Sequence, residues 1–298
     1  MSHIAFLGVG AMGLGMAANL ARSGQRVVAY DLSAAAVAKA VAAGCEPAGT
    51  AAEAVAGADV VITMLPAAAH VRDVYAETIV PQAAKGALVI DCSTIDVATA
   101  REVAAMAAAA GLRPADAPVS GGTMAAEAGT LAFMVGCDDA LFEIVRQQLS
   151  PMARVAIHAG GAGAGQAAKI CNNMVLGISM LGVCEAFALA EKLELAPERF
   201  FEVASQSSGQ CWSLTSYCPW PGPVPAAPSN RGYEGGFLTQ LMLKDLKLAQ
   251  EAAAKAGAAT PLGAQAEALY ALFDRLGYGR KDFSAVLQLM RGRLDELG

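Results

Sequence analysis

The sequence predicts an α/β fold: an N-terminal Rossmann-type doubly wound sheet, then an all-α domain that a long helix joins to the sheet. Up to about residue 160, short β-branched runs alternate with alanine-rich helical stretches. Strands that alternate with helices of about 10–15 residues favour a mainly parallel sheet covered on both faces. After Gly160 the β-branched runs stop, and helical segments broken by glycine and proline follow. This change of pattern predicts two domains of different class.

The predicted strands are seven apolar runs, each followed by a turn or a helical stretch. In chain order they read HIAFLG, RVVAYD, DVVITML, ALVIDCS, GLRPADAP, TLAFMVG and RVAIHAG. A long helix over about 165–193 opens the second domain, so we predict a sheet domain at 1–164 and an all-helical domain at 165–298. The proline-rich stretch 219–228 is predicted to be an extended or turning loop, because proline breaks helices.

Composition narrows the class of protein. The 298 residues suggest roughly two domains of about 150. Hydrophobic residues make up 55%, but no uncharged apolar run approaches the roughly 18 residues typical of a membrane span. Seven cysteines without a C-x-x-C pair indicate reduced thiols in the cytoplasm and no metal site. A net charge of −6 with scattered Lys and Arg argues against nucleic acid, and low charge with high hydrophobicity favours a homodimer or homotetramer.

A glycine motif follows the first predicted strand. FLGVGAMGLG places Gly8, Gly10 and Gly13 in G-x-G-x-x-G spacing at the start of a helix. The first glycine allows a tight turn, the second lets the backbone approach a pyrophosphate, and the third lets the helix pack closely on the strand. A glycine-rich turn in an alanine-rich protein would show the same spacing, so the motif needs support from its surroundings.

That support comes from the ends of later strands. Asp31 ends RVVAYD, where an acidic side chain can bind a ribose 2′-hydroxyl and repel a 2′-phosphate, which favours NAD over NADP. Asp31 could also merely cap the helix that starts near Ser33, and the two roles could coexist. Leu65, Pro66 and Thr94 follow two further strands at the edge where ligands bind in open α/β sheets, although each also fits an ordinary turn.

Two polar groups indicate a substrate site. Ser120, Gly121 and Gly122 offer a hydroxyl and unobstructed N–H groups that suit a carboxylate, or else form a Gly-Gly turn before a short helix.

The second group lies in an apolar helix. Lys169 stands three and four residues before Asn172 and Asn173, so the amine and one or both amides share a helix face. Burying these groups costs free energy unless each is hydrogen-bonded. They are therefore expected to meet a polar ligand, the alternative being a polar contact to the facing domain or a neighbouring subunit.

Four motifs together carry a family resemblance over the whole chain: FLGVGAMG, DAPVSGG, GAGQAAKICNN and GGFLTQLMLKDLKLA. With them the chain resembles the β-hydroxyacid dehydrogenases, and within these the 3-hydroxyisobutyrate dehydrogenase group. The resemblance implies that 1–164 is a dinucleotide-binding Rossmann domain and 165–298 a helical substrate and oligomerisation domain, with the active site between them. It also implies NAD as cofactor and a small 3-hydroxy acid as substrate.

The resemblance assigns roles to single residues. Lys169 would be catalytic, Asn173 would contact the substrate, and Ser120, Gly121 and Gly122 would hold its carboxylate. Lys244 would reach the cofactor, while Leu65, Pro66 and Thr94 would line the nicotinamide side. His70 stands where relatives often carry an asparagine that contacts NAD. With the glycine motif, the predicted cofactor-binding set is Gly8, Gly10, Met12, Gly13, Asp31, Leu65, Pro66, His70, Thr94 and Lys244.

The implied reaction is NAD-dependent oxidation of 3-hydroxyisobutyrate to methylmalonate semialdehyde, a step of valine breakdown. None of the three histidines lies in a recognisable catalytic motif, so Lys169 is the candidate for the hydroxyl proton. Alternative substrates are L-serine, other 3-hydroxy acids and tartronate semialdehyde. A different class of function is an NAD-binding sensor without turnover, which the coexistence of Ser120, Lys169 and Asn173 argues against.

Overall fold

The computed structural model describes residues 3–297. It divides into two compact units, the first ending at Lys169 and the second beginning at Ile170. The first unit contains a sheet with helices, and the second is helical, so the predicted α/β fold class is confirmed.

One sheet organises the first unit. Its strands are β1 (His3–Leu7), β2 (Arg26–Tyr30), β3 (Glu46–Pro47), β4 (Val60–Thr63), β5 (Leu88–Asp91), β6 (Arg113–Asp116), β7 (Val119–Ser120), β8 (Leu131–Gly136) and β9 (Ala153–Gly160). Among the described residues these nine strands follow the order β3-β2-β1-β4-β5-β6-β8-β7, with β9 paired to β8. The strands from β3 to β6 in this order pair in parallel, as a doubly wound dinucleotide-binding sheet does. The strand β8 then runs antiparallel to β6 and β7.

Both faces of the sheet are buried at its centre, which explains why β1, β4 and β5 are mostly apolar. Along β1, Ile4 and Phe6 belong to one hydrophobic cluster, whereas Ala5 and Leu7 belong to another. Alternate side chains of a strand point to opposite faces, so the two clusters are cores on either side of the sheet. Helices cover both cores, as a parallel sheet requires.

The helices of the first unit alternate with its strands. They are α1 (Gly13–Arg22), α2 (Ala34–Ala42), α3 (Ala51–Val55), α4 (Ala68–Val74), α5 (Val80–Gln82), α6 (Val97–Ala109), α7 (Gly122–Ala128), α8 (Asp139–Leu149) and the start of α9 (Ala164–Lys192). Polar residues begin several of them: the side chains of Ser33, Thr50 and Asp96 accept hydrogen bonds from backbone N–H groups of the first turn. These caps satisfy donors that a helix leaves unpaired at its start.

Helix α9 carries the chain from the first unit into the second. The division at residue 169 falls within this helix, whereas the sequence pattern placed the domain boundary at its start. By length and composition α9 is apolar enough to cross a membrane, although the uncharged runs of the sequence had indicated no such segment. Core helices of soluble proteins meet the same two criteria, and Met180, Cys184 and Phe187 of α9 are fully buried in a protein core.

Helices of varied length build the second unit. They are the rest of α9, then α10 (Pro197–Ser205), α11 (Trp212–Thr215), α12 (Thr239–Ala256), α13 (Pro261–Phe273) and α14 (Val286–Arg291). Within 170–297 extended pairing is limited to a single bridge between Leu238 and Asp282. One core holds this unit together, and its fully buried side chains include Phe187, Leu246 and Tyr270.

The proline-rich stretch 219–228 forms an irregular loop, as its prolines predict. The ring of Trp220 stacks on Phe187 with centroids 5.6 Å apart, and the guanidinium of Arg291 lies 4.4 Å from the Trp220 ring centroid. The loop backbone is also fixed, because Asn230 accepts from the Gly222 N–H and donates to the Val224 carbonyl. These contacts fasten the loop to the core of the second unit.

Two short strands were not predicted. The strand β3 has two residues, and β7 consists of Val119 and Ser120. The predicted run GLRPADAP contains β6, which ends at Asp116, and Ser120 lies in the separate strand β7. A two-residue strand is too short to show the alternation on which sequence prediction depends.

Candidate active site

The carboxyl ends of five parallel strands are aligned at one edge of the sheet. Leu7, the last residue of β1, pairs with Tyr30 on one side and with Thr63 on the other. Thr63 pairs with Asp91, which pairs with Asp116. The segments that follow these residues contain most of the predicted cofactor-binding side chains, so the fold brings them to the same edge.

The glycine motif turns tightly between β1 and α1. Gly8 has a φ of +96°, and a Cβ on it would overlap the carbonyl oxygen of Met64. A Cβ on Gly13 would overlap the Gly8 carbonyl oxygen and lie 3.1 Å from the Phe6 ring. A Cβ on Gly10 would meet nothing within 4 Å. The first and third glycines therefore serve the fold, whereas the space beside Gly10 is open to a ligand.

The start of α1 fits a phosphate group. Its N-cap residue, Met12, makes no side-chain capping hydrogen bond. The N–H groups of a first helical turn have no partner within the helix, and they carry the positive end of the helix dipole. The N-terminus of a helix of 10 residues behind an open glycine therefore suits a pyrophosphate.

Asp31 fixes the glycine turn against the end of β2. Its Oδ2 accepts a hydrogen bond from the Val9 N–H at 2.9 Å, and its Oδ1 accepts one from the Ser33 N–H at 2.8 Å. The side chain of Ser33 caps α2 by accepting from the Ala36 N–H, and Asp31 supports this helix start through its bond to the Ser33 N–H. Leu32 beside it is 92% exposed and supplies no cation for a 2′-phosphate.

The segments after β4 and β5 are joined by a serine that sequence reasoning missed. The Leu65 N–H donates to Ser93 Oγ at 2.8 Å, and this hydroxyl donates to Asp91 Oδ1 at 2.6 Å. Thr63 Oγ1 donates to the same carboxyl oxygen at 2.7 Å. Burial raises the pKa of Asp91, and the hydrogen bonds from Ser93 and Thr63 oppose that rise. The network holds Leu65 and Thr94 in neighbouring segments.

The other predicted residues at this edge differ in burial. Thr94 is half-buried and Pro66 is exposed. His70 is exposed on the first turn of α4. The predicted role of each in binding the cofactor stays a prediction.

The Ser-Gly-Gly segment has a mixed character. Ser120 is half-buried in β7, Gly121 has a φ of +133°, and α7 begins at Gly122. A Gly-Gly turn before a short helix is therefore present, as one of the two interpretations predicted. The predicted binding of a substrate carboxylate by this segment stays a prediction.

Lys169 lies beside this segment. Its side chain is buried, with 6% of the residue exposed, and its Nζ donates to the Val119 carbonyl oxygen at 2.8 Å. Since Val119 directly precedes Ser120, the structure brings the predicted catalytic amine to the predicted carboxylate site. This juxtaposition involves residues of the first unit alone.

The two asparagines after Lys169 separate in their surroundings. Asn173 is 2% exposed, and its Nδ2 donates to Asp245 Oδ2 at 2.5 Å. Asn172 is exposed, and its Nδ2 donates to Asn173 Oδ1 at 3.0 Å. Asp245 is only 3% exposed, and Lys244 before it on α12 is half-buried. By their position on α12 alone, Lys244 and Asp245 would be ordinary solvated helix residues. The sequence pattern therefore did not show that Asp245 binds Asn173.

Two further buried polar residues hold the start of α9. Asp116 accepts from the Gly163 N–H at 2.6 Å and from the Gln166 N–H at 2.9 Å. Burial raises the pKa of Asp116 to about 6, and these two hydrogen bonds oppose the rise. Gln166 is fully buried and binds the segment after β5. Gln166 lies three and seven residues before Lys169 and Asn173, a spacing that places all three on one helix face and was visible in the sequence.

The cysteines and acidic residues show no metal centre in the described part of the chain. All seven cysteines are free thiols, and Cys171 is exposed. No group of three His, Cys, Asp or Glu side chains within residues 3–297 is placed to hold a metal ion.

The chain is similar to known proteins along almost its whole length. Residues 3–161 match the model of the NAD-binding domain of 6-phosphogluconate dehydrogenase. Residues 163–290 match the model described as the NAD-binding domain of NADP-dependent 3-hydroxyisobutyrate dehydrogenase. The 3-hydroxyisobutyrate dehydrogenase of Pseudomonas aeruginosa is 49% identical over 98% of this chain and 100% of its own length. The chain belongs to the 3-hydroxyisobutyrate dehydrogenase family. It is therefore an NAD-dependent 3-hydroxyacid dehydrogenase, an oxidoreductase, and the predicted family and cofactor are confirmed.

Other members of this dehydrogenase family differ in their named substrate. An NAD-dependent L-serine dehydrogenase of Pseudomonas aeruginosa is 47% identical, covering 97% of this chain and 98% of its own. A solved structure of the Mycobacterium tuberculosis 3-hydroxyisobutyrate dehydrogenase with L-serine is 48% identical and superposes with a TM-score of 0.95, covering 98% of this chain and 99% of that one. The names of these relatives thus mention two 3-hydroxy acids, 3-hydroxyisobutyrate and L-serine.

Proposed function

We propose that this enzyme oxidises 3-hydroxyisobutyrate with NAD to methylmalonate semialdehyde, a step of valine breakdown. The observation that carries the proposal is the hydrogen bond from the buried Lys169 amine to the carbonyl oxygen of Val119, the residue directly before Ser120. It supplies a proton-transfer group beside a site for a carboxylate, the two groups that oxidation of a 3-hydroxy acid needs. The 3-hydroxyisobutyrate dehydrogenases among the relatives support the choice of acid.

We propose that the pyrophosphate of NAD binds at Gly10 and the start of α1, and its adenine ribose at Asp31. The open space beside Gly10 and the uncapped helix start fit that group. When bound, NAD accepts the hydride from the alcohol carbon of the substrate. Asp31 favours NAD over NADP, because its carboxylate binds a ribose hydroxyl but repels a phosphate. Leu65, Pro66, Thr94, His70 and Lys244 stay the proposed contacts to the rest of the cofactor.

Lys169 is the proposed catalytic residue. Loss of the hydride leaves a carbonyl, so the hydroxyl proton must pass to a base. The Lys169 amine would accept this proton in oxidation and return it to the oxygen in reduction. Its hydrogen bond to the Val119 carbonyl orients the amine.

The substrate carboxylate is proposed to bind Ser120 and the N–H groups of Gly121 and Gly122. A hydroxyl and backbone N–H groups at a turn form a concave site for an anion. Asn173, one helical turn after Lys169, would contact the same substrate through its amide. Its hydrogen bond to Asp245 fixes the orientation of that amide.

L-Serine is the second candidate substrate. The relative named as an L-serine dehydrogenase and the solved relative with L-serine both favour it. The two acids share the carboxylate and the primary alcohol and differ at C2, where one carries a methyl group and the other an ammonium. The groups proposed to bind carboxylate and hydroxyl would serve both, so the neighbours of C2 decide between them.

A steady-state comparison tests the proposed function. NADH formation is measured with (S)-3-hydroxyisobutyrate, L-serine, D-glycerate and 6-phosphogluconate at saturating NAD. We expect kcat/KM for 3-hydroxyisobutyrate to exceed that for L-serine by about tenfold or more, the discrimination that one group at C2 provides. A higher kcat/KM for L-serine would select the second candidate. NAD binding without turnover of any acid would favour the sensor hypothesis and end the proposal.

We also propose a cytoplasmic homo-oligomer, either a dimer or a tetramer. Exposed apolar side chains lie along α9 and nearby parts of the second unit, including Val175, Leu189, Leu193 and Val203. A water-facing surface of this kind is typical of subunit contacts. Sedimentation equilibrium of the purified enzyme would contradict the proposal if it gave a monomer at micromolar concentration.

A further inference from the structure

Gln166 occupies a connecting position in the first unit. No part of it is exposed, and both ends of its amide are bonded to backbone groups. Its Nε2 donates to the Ser93 carbonyl at 2.7 Å, and its Oε1 accepts from the Ile95 N–H at 3.2 Å. These two bonds hold the backbone on either side of Thr94, the residue proposed to line the nicotinamide side.

The connection extends from Ser93 to a second loop. The Ser93 hydroxyl accepts from the Leu65 N–H at 2.8 Å, so the segment after β4 is held to the segment after β5. Gln166 thus fixes Thr94 directly and Leu65 through Ser93. Both of these residues belong to the proposed nicotinamide side.

Gln166 itself belongs to α9, the helix that carries Lys169. The Gln166 N–H donates to Asp116, and Lys169 follows Gln166 by three residues, or about one helical turn. The Lys169 amine in turn holds the Val119 carbonyl. A shift of the first turn of α9 against the segment 93–95 would therefore move the proton-transfer group relative to the nicotinamide-side loops.

We propose that Gln166 is a positioning residue for hydride and proton transfer. Through Ser93 it sets the distance between the nicotinamide-side segments and the helix that carries Lys169, and it touches neither substrate nor cofactor in this role. The inference rests on the proposed function, because it assigns the reacting groups to those segments. Misplacement of reacting groups by about 1 Å can lower a rate about a hundredfold. Loss of the Gln166 hydrogen bonds to Ser93 and Ile95 should therefore slow the chemical step.

The test replaces Gln166 with methionine, which keeps the length and volume but removes both side-chain hydrogen bonds. The measured quantities are kcat, KM, the NADH dissociation constant and stoichiometry, and the isotope effect on kcat with [3,3-²H₂]-3-hydroxyisobutyrate. If the wild-type enzyme prefers L-serine, the same experiment uses [3,3-²H₂]-L-serine. The matched control is Gln288→Met, since Gln288 is also buried and amide-bonded, to Tyr233 and Arg291 of the second unit.

We expect Gln166→Met to lower kcat by about tenfold to a hundredfold, with an isotope effect at or above the wild-type value. The NADH dissociation constant should stay within about threefold, because the glycine turn is untouched. Gln288→Met should keep wild-type kinetics. A kcat of Gln166→Met within about twofold of the wild-type value would overturn the proposal. So would a fall in kcat that equals the loss of NADH-binding sites, or one that comes with an isotope effect closer to one than in the wild type.

A second variant decides the matter if Gln166→Met is insoluble. Ser93→Ala removes the hydroxyl that holds the Leu65 N–H, and it should show the same fall in kcat with an undiminished isotope effect. Wild-type kinetics in Ser93→Ala would then overturn the proposal. Failure of the proposed function is distinguishable, because in that case the wild-type enzyme itself oxidises none of the 3-hydroxy acids.

Discussion

Asp116 makes the stability of the first unit depend on pH in a predictable direction. Its carboxylate lies at the start of α9, where it accepts hydrogen bonds from the Gly163 and Gln166 N–H groups, and it is 5% exposed. Asp116→Asn keeps the shape of the side chain and removes its titration. The variant also replaces one of the two acceptor oxygens with a donor, a loss that does not depend on pH. The pH-dependent part of the difference in stability therefore reports the charge.

The size of the effect follows from the pKa of Asp116. Burial raises that pKa from 3.8 to about 6, so the folded protein holds the proton more tightly than the unfolded chain does. Its stabilising contribution is complete below about pH 4 and is lost as the pH rises through about 6. Each unit by which the pKa rises corresponds to about 1.4 kcal/mol of stability, so the full contribution of Asp116 is roughly 3 kcal/mol.

The assay is urea-induced unfolding of wild type and Asp116→Asn at several pH values between 4 and 7. Far-UV circular dichroism is the suitable signal, because both tryptophans, Trp212 and Trp220, lie in the second unit. The free energy of unfolding of wild type minus that of the variant should fall by about 2 kcal/mol between pH 4 and pH 7, which is most of the full effect. A difference that stays constant within about 0.5 kcal/mol, or that grows with pH, would refute the reasoning.

Two further predictions concern the cofactor and the packing of α9. Asp31→Asn should raise kcat/KM for NADP relative to NAD by about tenfold or more, since the charge that repels a 2′-phosphate is removed; an unchanged ratio of the two kcat/KM values would contradict this role. Gly165→Ala should lower the thermal midpoint, because its Cβ would overlap the Met134 carbonyl oxygen. A midpoint equal to that of the wild type would show that the packing at Gly165 is not as tight as described.

Much of the fold could be predicted because the strands of a parallel sheet are buried on both faces. Such strands read as continuous apolar runs, and all seven predicted runs contain strands of the sheet. The glycine motif and Asp31 could be found because a phosphate-binding turn requires particular residues at fixed spacing. The strands β3 and β7 could not, since two residues define no period.

The connections within the site were harder to predict, because their partners are distant in the sequence. Gln166 binds a segment more than seventy residues earlier, and Asp245 binds Asn173 from another helix. A single polar residue in an apolar stretch indicates that its side chain has a hydrogen-bond partner, because burying an unpaired polar group costs free energy. The sequence does not show which residue that partner is. The common helix face of Gln166, Lys169 and Asn173 indicates the site from the sequence, but the sequence prediction included only Lys169 and Asn173.

The most direct test of the account is the turnover of Lys169→Ala, with Lys192→Ala on the exposed end of the same helix as control. Removing a proton-transfer group typically costs a factor of about 10²–10⁴ in rate. We expect kcat for 3-hydroxy acid oxidation to fall by at least about a hundredfold, while the NADH dissociation constant stays within about threefold and Lys192→Ala behaves as wild type. A Lys169→Ala enzyme that retains more than about a tenth of wild-type kcat would contradict the assignment of proton transfer to this amine.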